Sequence, residues 1–372
     1  MNIVKATKKY EKWLGSIIPL VQEDLELKHK RMAESPFAFL RGAFYRWVQL
    51  FEENCSKLVS APSVLAVGDL HVENFGTWRD LEGRLIWGIN DFDEAYYLPY
   101  TNDLLRLAVS ACLAIKEVHL GLKYEDAIDE ILKGYNESLS KGGNPFVLGD
   151  KYLWFYEIAG ERLKNPAKFW NKMDACKEIK SGVPGKPTKI LSNALPIKNL
   201  SHKRVHRIAG TGSLGRQRFV AIAEWQGGRI AREVKAYAPS ACVWANGKNK
   251  SCEGLYNKII QNSVRCHDPF VTVKGGWVLR RLAPDCSRIE LDSVPNKKDE
   301  KRLLYSMGWE TANIHLGSKG QVKKIIKDLK KRNSSWLLKA SEEMTRVIKK
   351  DWKDWKEHSE QKNNLSLHPI FN

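Results

Sequence analysis

The stretch of sequence with the most candidate chemistry runs from residue 67 to residue 95, VGDLHVENFGTWRDLEGRLIWGINDFDEA, and gathers acids in a strongly basic chain. The whole chain of 372 residues carries a formal net charge of +18. Asp69 and Asp91 each follow directly on an apolar run, where an unpaired carboxylate would be costly. Two interpretations are open. The acids either cap a solvated turn, since Asp and Asn are common in turns, or they form a site that binds a cation.

The spacing within this stretch predicts a metal site at the open end of a hairpin. RDLEG separates two strand-like runs and predicts a turn at Gly83. Strands joined by a tight turn bring their outer ends together, so Asn74 and Asp91 are expected to lie close. Two oxygen ligands suit Mg²⁺, which completes its shell with phosphate and water. Asp69 would then orient or deprotonate an acceptor hydroxyl, and Asp93 has a supporting role.

A second candidate site is the G-x-G-x-x-G segment at residues 210–215, GTGSLG. The pattern alone is weak evidence, and an ordinary flexible hairpin is the alternative. A dinucleotide fingerprint needs a helix after the glycines, whereas RFVAIAEW favours a strand. A strand, glycine loop and strand cover the nucleotide phosphates in kinases, because backbone amides can approach phosphate oxygens where no Cβ intervenes. Gly210, Gly212, Ser213 and Gly215 are therefore predicted to bind a nucleotide.

Lys235 follows twenty residues after Gly215, on the next predicted strand. It could point beneath the glycine loop and pair with the α- and β-phosphates of a nucleotide. Such a lysine needs a carboxylate to fix its ammonium group. Glu253, at the start of the next predicted helix, is the candidate, and Glu233 is the competitor. The alternative is that Lys235 is one more surface lysine.

The elements that position these residues differ along the chain. Residues 1–60 predict helices, and VLAVG (64–68) predicts a short buried strand. A helical period runs from Asn102 to about Tyr135, with Asn102-Asp103 able to cap that helix. After the linker SGVPGKPTK, a β-rich region is predicted. Its expected elements are strands at 204–209, 216–225 and 229–236 with a tight Gly227-Gly228 turn, a helix over 251–264 and the strand pair VTVKGGWVLRRL. From about 299 the chain is predicted to be helical again.

Composition excludes several classes of protein. The seven cysteines are scattered without a C-x-x-C, which argues against a zinc finger or a disulfide framework. No apolar window is long enough for a membrane span, and a cytoplasmic location is expected. The basic excess favours an anionic partner. Residues 319–356 hold 13 Lys/Arg against 5 Asp/Glu; nucleic acid is a possible partner there, but a solvated helical face is favoured.

The segments GDLHVEN, NDFDEA and NDLLRLA resemble the aminoglycoside/choline phosphotransferase branch of the protein-kinase-like fold. That branch has an H-G-D-x-H-x-x-N loop, a D-F-D segment and a helix that begins near D-L-A. With SPFAFLRG, GTGSLG and VKAY, the sequence is more similar to the bacterial family called domain of unknown function 2252, over roughly residues 30–320. The resemblance implies that Asp69 is catalytic, that Asn74 and Asp91 bind the metal, that Asp103 braces the catalytic loop, and that Lys235 and the glycines clamp the nucleotide.

Two departures from the kinase pattern stand out. Val67 replaces the usual His before Gly-Asp, so bracing of the loop falls to His71 or to Asp103. The order is also inverted, because the catalytic half precedes the glycine loop; a circular permutation would explain this. Arg41, in SPFAFLRG, is expected to meet a phosphate or to brace an acid.

We therefore predict a two-lobed, kinase-like α+β protein, circularly permuted, with a small antiparallel β lobe and a larger helical lobe. Residues 1–199 would form the helical lobe with the catalytic loop, 200–290 the nucleotide-binding lobe, and 291–372 the helical end with its basic tail. The expected function is transfer of a phosphoryl group from ATP, with Mg²⁺, to an unknown hydroxyl acceptor, a small molecule or a protein. The alternatives are nucleotidyl (AMP) transfer with ATP bound in the reverse direction, and a pseudokinase that only binds nucleotide.

Overall fold

The computed structural model describes residues 1–117, 121–163, 165–180, 182–247, 253–286, 288 and 297–367, without the side chains of 150, 161–163, 253 and 363–367. The helices are α1 (Ile3–Gly15), α2 (Gln22–Glu34), α3 (Pro36–Gly42), α4 (Phe44–Asn54), α5 (Ser56–Val59), α6 (Tyr100–Glu117), α7 (Tyr124–Lys141), α8 (Leu148–Lys151), α9 (Leu153–Leu163), α10 (Pro166–Asp174), α11 (Gly185–Asn193), α12 (Ala241–Ala245), α13 (Glu253–Asn262), α14 (Lys297–His315), α15 (Val322–Lys331) and α16 (Trp336–Leu367). The strands are β1 (Ser63–Ala66), β2 (Phe75–Arg79), β3 (Leu85–Ile89), β4 (Tyr96–Pro99), β5 (Phe146–Val147), β6 (Lys203–His206), β7 (Arg218–Trp225), β8 (Gly228–Ala236), β9 (Thr272–Lys274) and β10 (Trp277–Leu282). This mixture of helices and antiparallel sheets confirms the α+β class.

The β-rich region forms one antiparallel sheet in the order β6-β7-β8-β10-β9. Its strands lie within a few residues of the predicted ones. The predicted Gly227-Gly228 turn is wrong by one residue, because Gly228 already pairs with Trp225. The two turn residues are Gln226 and Gly227, with φ of +48° and +79°. Positive φ at both positions is the geometry that matches the twist of a two-residue hairpin.

The hairpin predicted around Gly83 is present. Strands β2 and β3 pair from Phe75 opposite Ile89 to Arg79 opposite Leu85, and Gly83 has a φ of +74° in the turn. Beyond the paired ends, the N–H of Asn90 donates to the carbonyl of Asn74 at 3.0 Å. The pairing therefore holds the residues that follow β3 beside those that precede β2.

Helix α6 begins earlier than predicted, at Tyr100, so the expected capping role of Asn102 and Asp103 is wrong. Both residues lie inside the helix and are buried. The reason for the early start is the pairing of β4 with β1, which ends at Pro99 opposite Ser63 and leads directly into the helix. The side chains of Asn102 and Asp103 instead face the loop that follows β1.

Two apolar cores hold the chain together. The larger one joins the helical elements to one face of the large sheet. The smaller one packs α10 on the sheet's opposite face, and its members are Met173, Val205, Val220, Ile222, Ala231 and Leu282. Within the described ranges, no helix is both long and apolar enough to cross a lipid bilayer.

Candidate functional site

One cleft between the large sheet and the helical part brings together most of the predicted site residues. Its volume is about 210 Å³, far above the ~15 Å³ that one water needs. The predicted residues that line it are Arg41, Asp69, His71, Asn74, Asp91, Asp93, Gly210, Gly212, Ser213 and Lys235. Asp103 lies behind this surface, and Gly215 packs against Leu25. Glu253 begins α13, and its side chain is outside what the structure describes.

The acidic loop, residues 67–74, is held from behind by Asp103. Its carboxylate accepts the N–H groups of Val67 at 2.7 Å and Gly68 at 3.0 Å, and it contacts His315 Nε2 at 3.1 Å. Gly68 has a φ of +83°, and a side chain there would overlap the carbonyl of Glu94. Asp103 therefore braces this loop, one of the two options that Val67 in place of His left open.

Asp69 is held by a residue that sequence reasoning missed. Arg106 donates to Asp69 Oδ1 through Nε at 2.8 Å and also through Nη2. The same guanidinium donates to the carbonyl of Leu40 at 2.8 Å and lies 5.0 Å from the ring of Phe44. Burial raises the pKa of Asp69, and Arg106 opposes that shift. A signal was present, since Arg106 follows Asp103 at helical i,i+3 spacing and so shares its face of α6.

The end of the acidic loop is a short 3₁₀ turn, Val72–Asn74, closed by a reciprocal cap. His71 Nδ1 accepts from the N–H of Glu73 at 3.2 Å, and Asn74 Oδ1 accepts from the N–H of His71 at 2.7 Å. Burial and nearby arginines hold the pKa of His71 well below its ordinary value, so the ring is neutral. Arg41 contacts the carboxylate of Glu73 at 2.8 Å. Arg41 therefore braces an acid, and its contact with a phosphate stays a prediction.

Lys235 lies on β8, lines the same cleft as the glycine loop and is 1% exposed. Among the described side chains, the carboxylates it meets are Asp93, in close contact, and Asp91, at 3.8 Å. Burial lowers the pKa of Lys235, against the pull of both acids. Burial alone would raise the pKa of Asp93, but Lys235 and Arg216 outweigh it and hold this pKa below its ordinary value. Asp93, predicted only as a supporting residue, is thus the main acidic partner of Lys235.

Arg216 extends this charge network and was also missed by sequence reasoning. It contacts Asp93 at 3.3 Å and Glu94 at 3.2 Å. Glu94 also accepts the N–H of Ala241 at 2.6 Å. Burial raises the pKa of Glu94 to about 7, although Arg216 opposes the shift. These contacts connect the segment after β3 to the segment after the glycine loop, so the two predicted half-sites are joined by buried charges.

The oxygen atoms beside Lys235 provide some of the ligands that a small hard cation needs. The side chain of Asp91 is 35% exposed in the cleft, and the buried Oδ1 of Asp93 has no hydrogen-bond partner. Asn74 Oδ1 already accepts one backbone hydrogen bond, which leaves it one lone pair. Carboxylate oxygens with room for water suit Mg²⁺. In the described part of the chain, no three or more His, Cys, Asp or Glu side chains cluster as a site built wholly from protein ligands would need.

The glycine loop, residues 210–215, joins β6 to β7 as a strand–loop–strand and is held by the N-terminal helices. Lys28, on α2, donates to the carbonyl of Gly212 at 3.1 Å. The N–H of Val21 donates to the carbonyl of Gly215 at 2.8 Å. A Cβ at Gly212 would lie 3.4 Å from Asp69 Oδ2 and 2.9 Å from the carbonyl of Arg41. The loop therefore lies directly over Asp69, and glycine permits this approach.

The sheet face above the cleft is charged. Glu233, fully buried on β8, contacts Arg207 at 2.6 Å, Arg218 at 2.8 Å and Arg280 at 3.6 Å. Burial would raise the pKa of Glu233, but the arginines reverse the shift and hold it well below its ordinary value. Arg218 also donates to Ser213 at 2.9 Å. Three arginines around one carboxylate leave an excess of positive charge above the cleft.

A family profile matches part of the chain. No curated protein matches the chain, and neither does any solved structure. The profile of a family described as an uncharacterized protein conserved in bacteria, DUF2252, matches residues 20–152. That range holds α2 to α8, the acidic loop and the β2–β3 hairpin, but not the glycine loop or Lys235. Over residues 20–152, the chain is therefore similar to the bacterial DUF2252 family.

Proposed function

We propose that this protein is a kinase-like phosphotransferase that moves a phosphoryl group from Mg-ATP to a hydroxyl acceptor. The observation that carries the proposal is the shared cleft, which is lined by Asp69, Asn74 and Asp91 from one part of the chain and by the glycine loop and Lys235 from another. A glycine loop between the first two strands of a sheet, with a lysine on the third, is the arrangement kinases use around nucleotide phosphates. The inverted order of these parts supports a permuted version of that fold.

Each residue has a role in this reaction. The acceptor oxygen attacks the γ-phosphorus, the bond from that phosphorus to the β–γ bridging oxygen breaks, and ADP leaves. Asp69, aligned by Arg106, takes the hydroxyl proton on its Oδ2. Lys235 and the amides of the glycine loop hold the phosphates. Bound Mg²⁺, held by Asp91 with Asp93 and Asn74, would neutralise charge on the phosphate oxygens. Because Gly212 lies so close to Asp69, the loop must lift before a phosphate can enter.

The test is ATP consumption by the purified full chain with Mg²⁺. We expect Asp69→Asn and Asp91→Ala each to lower turnover by about 10²-fold or more, in proteins that circular dichroism shows to be folded. Asp126→Asn is the matched control, because Asp126 carries the same charge on a surface away from the cleft. Unchanged turnover in folded Asp69→Asn and Asp91→Ala proteins would show that the proposal is wrong.

A second candidate function is AMP transfer, with ATP bound in the reverse direction. The observation that favours it is the charged sheet face, where Arg207, Arg218 and Arg280 surround Glu233. Terminal phosphates would gain charge-assisted hydrogen bonds from such a surface. In this reaction the acceptor oxygen attacks the α-phosphorus, and pyrophosphate leaves with the α–β bridging oxygen.

The nucleotide products separate these functions, even with water as the acceptor. Phosphorus NMR of a reaction with Mg-ATP would show ADP and phosphate for phosphoryl transfer, and AMP with pyrophosphate for nucleotidyl transfer. Labelled ATP extends the assay to protein acceptors, since a γ-label is transferred in the first case and an α-label in the second. Stabilisation by ATP without any turnover would instead identify a nucleotide-binding pseudokinase.

A further inference from the structure

Arg265 occupies an aromatic slot on the wall of the cleft. Its guanidinium carbon lies 4.7 Å from the ring of Trp78 and 5.0 Å from the ring of Phe92. The backbone on either side of Arg265 is fixed by two hydrogen bonds. The N–H of Val264 donates to the backbone carbonyl of Asn313 at 3.0 Å, and the carbonyl of Cys266 accepts from the Trp78 indole at 3.2 Å. Arg265 is therefore held in a defined place, next to the residue that follows Asp91.

The guanidinium of Arg265 lacks hydrogen-bond partners within the described part of the chain. Its Nε and Nη1 atoms are buried without one. The buried acid Glu310, which interacts electrostatically with Arg265, already accepts the N–H of Ile89 at 3.3 Å and the amide of Asn313 at 2.8 Å. Burying charged donors without hydrogen-bond acceptors costs folding free energy. An anion that enters the cleft would meet these donors without displacing a protein partner.

A second arginine, Arg281, lines the same cleft. Its buried Nε has no hydrogen-bond partner among the described residues. Arg281 lies 3.9 Å from Asp285, which is engaged at 2.6 Å by Arg79. Asp268, an acid that interacts electrostatically with both arginines, accepts the N–H of Phe270 at 2.9 Å. The acids near these two arginines therefore already have hydrogen-bond or ion-pair partners.

We propose that Arg265 and Arg281 form an anion subsite that binds a diphosphate group, the two terminal phosphates of the nucleotide. A planar guanidinium binds phosphate oxygens in a bidentate manner and can stack on rings at the same time. Two such groups on one wall match two linked phosphates better than a single carboxylate. The assignment to a nucleotide rests on the proposed function, but diphosphate binding by this wall does not.

The experiment measures the affinity of inorganic pyrophosphate for the full chain by calorimetry, without Mg²⁺. We expect Arg265→Gln to weaken binding about tenfold or more, as loss of a charged hydrogen-bond pair predicts, and Arg265→Lys to weaken it less. Arg229→Gln is the matched control, because Arg229 stacks on Trp170 and pairs with Asp174 on the surface; it should bind like the wild type. Arg281→Gln gives a second, independent measurement should Arg265→Gln fail to fold.

The outcomes separate this inference from the proposed function. Pyrophosphate affinity that is unchanged in Arg265→Gln, or in Arg281→Gln where Arg265→Gln does not fold, overturns the subsite, whatever the turnover of ATP. Loss of pyrophosphate affinity in the arginine variants supports the subsite even if the wild type consumes no ATP, in which case the proposed function alone fails. Affinity that falls equally in Arg229→Gln also overturns the subsite, because it shows a general effect of charge.

Discussion

The buried pair Lys235–Asp93 allows the sharpest test of how the two half-sites are joined. The perturbation is a double-mutant cycle with Lys235→Met and Asp93→Asn, which keep side-chain size while removing charge. Lys235 is 1% and Asp93 8% exposed, so removal of either partner leaves the other charge buried.

The structure sets the expected magnitude. Breaking a buried ion pair costs roughly 3–5 kcal/mol. Here each partner keeps a second contact, Asp93 with Arg216 at 3.3 Å and Lys235 with Asp91 at 3.8 Å. We therefore expect each single substitution to lower the free energy of unfolding by about 2–4 kcal/mol. The double variant removes both charges together. Its loss of unfolding free energy should therefore be about 2 kcal/mol smaller than the sum of the two single losses.

The assay is urea unfolding of all four proteins, followed by circular dichroism and fitted for midpoint and slope. The pKa of Asp93 lies below its ordinary value of 3.8 in the folded state, so its contribution is present above that pH and is lost as the pH falls below it. The difference between wild type and Asp93→Asn should therefore be constant above about pH 5 and shrink in acid. If the free energy of unfolding lost by the double variant equals the sum of the two single losses within about 0.5 kcal/mol, the reasoning is refuted.

Three further predictions concern stability and use the same assay. Asp103→Asn keeps one acceptor oxygen for two backbone N–H groups and should cost about 2–3 kcal/mol. The same change at the partly exposed Asp126 should cost under about 1 kcal/mol; equal losses would contradict the bracing role. Gly83→Ala, in open space, should cost about 1 kcal/mol for its positive φ, and Gly68→Ala at least twice that because of backbone overlap; the reverse order would contradict the packing. Burial raises the pKa of Glu310 from 4.5 to about 7, so stability should fall as the pH rises through this window, and Glu310→Gln should remove up to about 3 kcal/mol of that fall; an unchanged slope between pH 4.5 and 7 would contradict it.

The local pattern of the sequence was sufficient to predict where the two loops lie and which elements flank them. Gly83 between two strand-like runs predicted the hairpin that places Asn74 beside the residues after β3, and β-branched residues after Gly215 predicted a strand rather than a helix. Both are short-range properties, because turn residues and a period of two act over a few positions. The same reasoning misplaced the β7–β8 turn by one residue, because either of two adjacent glycines can supply the positive φ.

The ionic partners were decided by the tertiary structure alone. Helical spacing places Arg106 on the same face as Asp103, but with 61 Lys and Arg in the chain no local pattern pairs Arg106 with Asp69 or Arg216 with Asp93. These pairs form because packing of distant elements removes water from particular charges, and a desolvated charge is tolerated only where an opposite one is placed beside it. The sequence by itself determined which loops carry acids and glycines. The tertiary structure determined that one cleft joins them, with α2 holding the glycine loop and arginines above it, because those contacts exist only once helices far apart in the chain have packed.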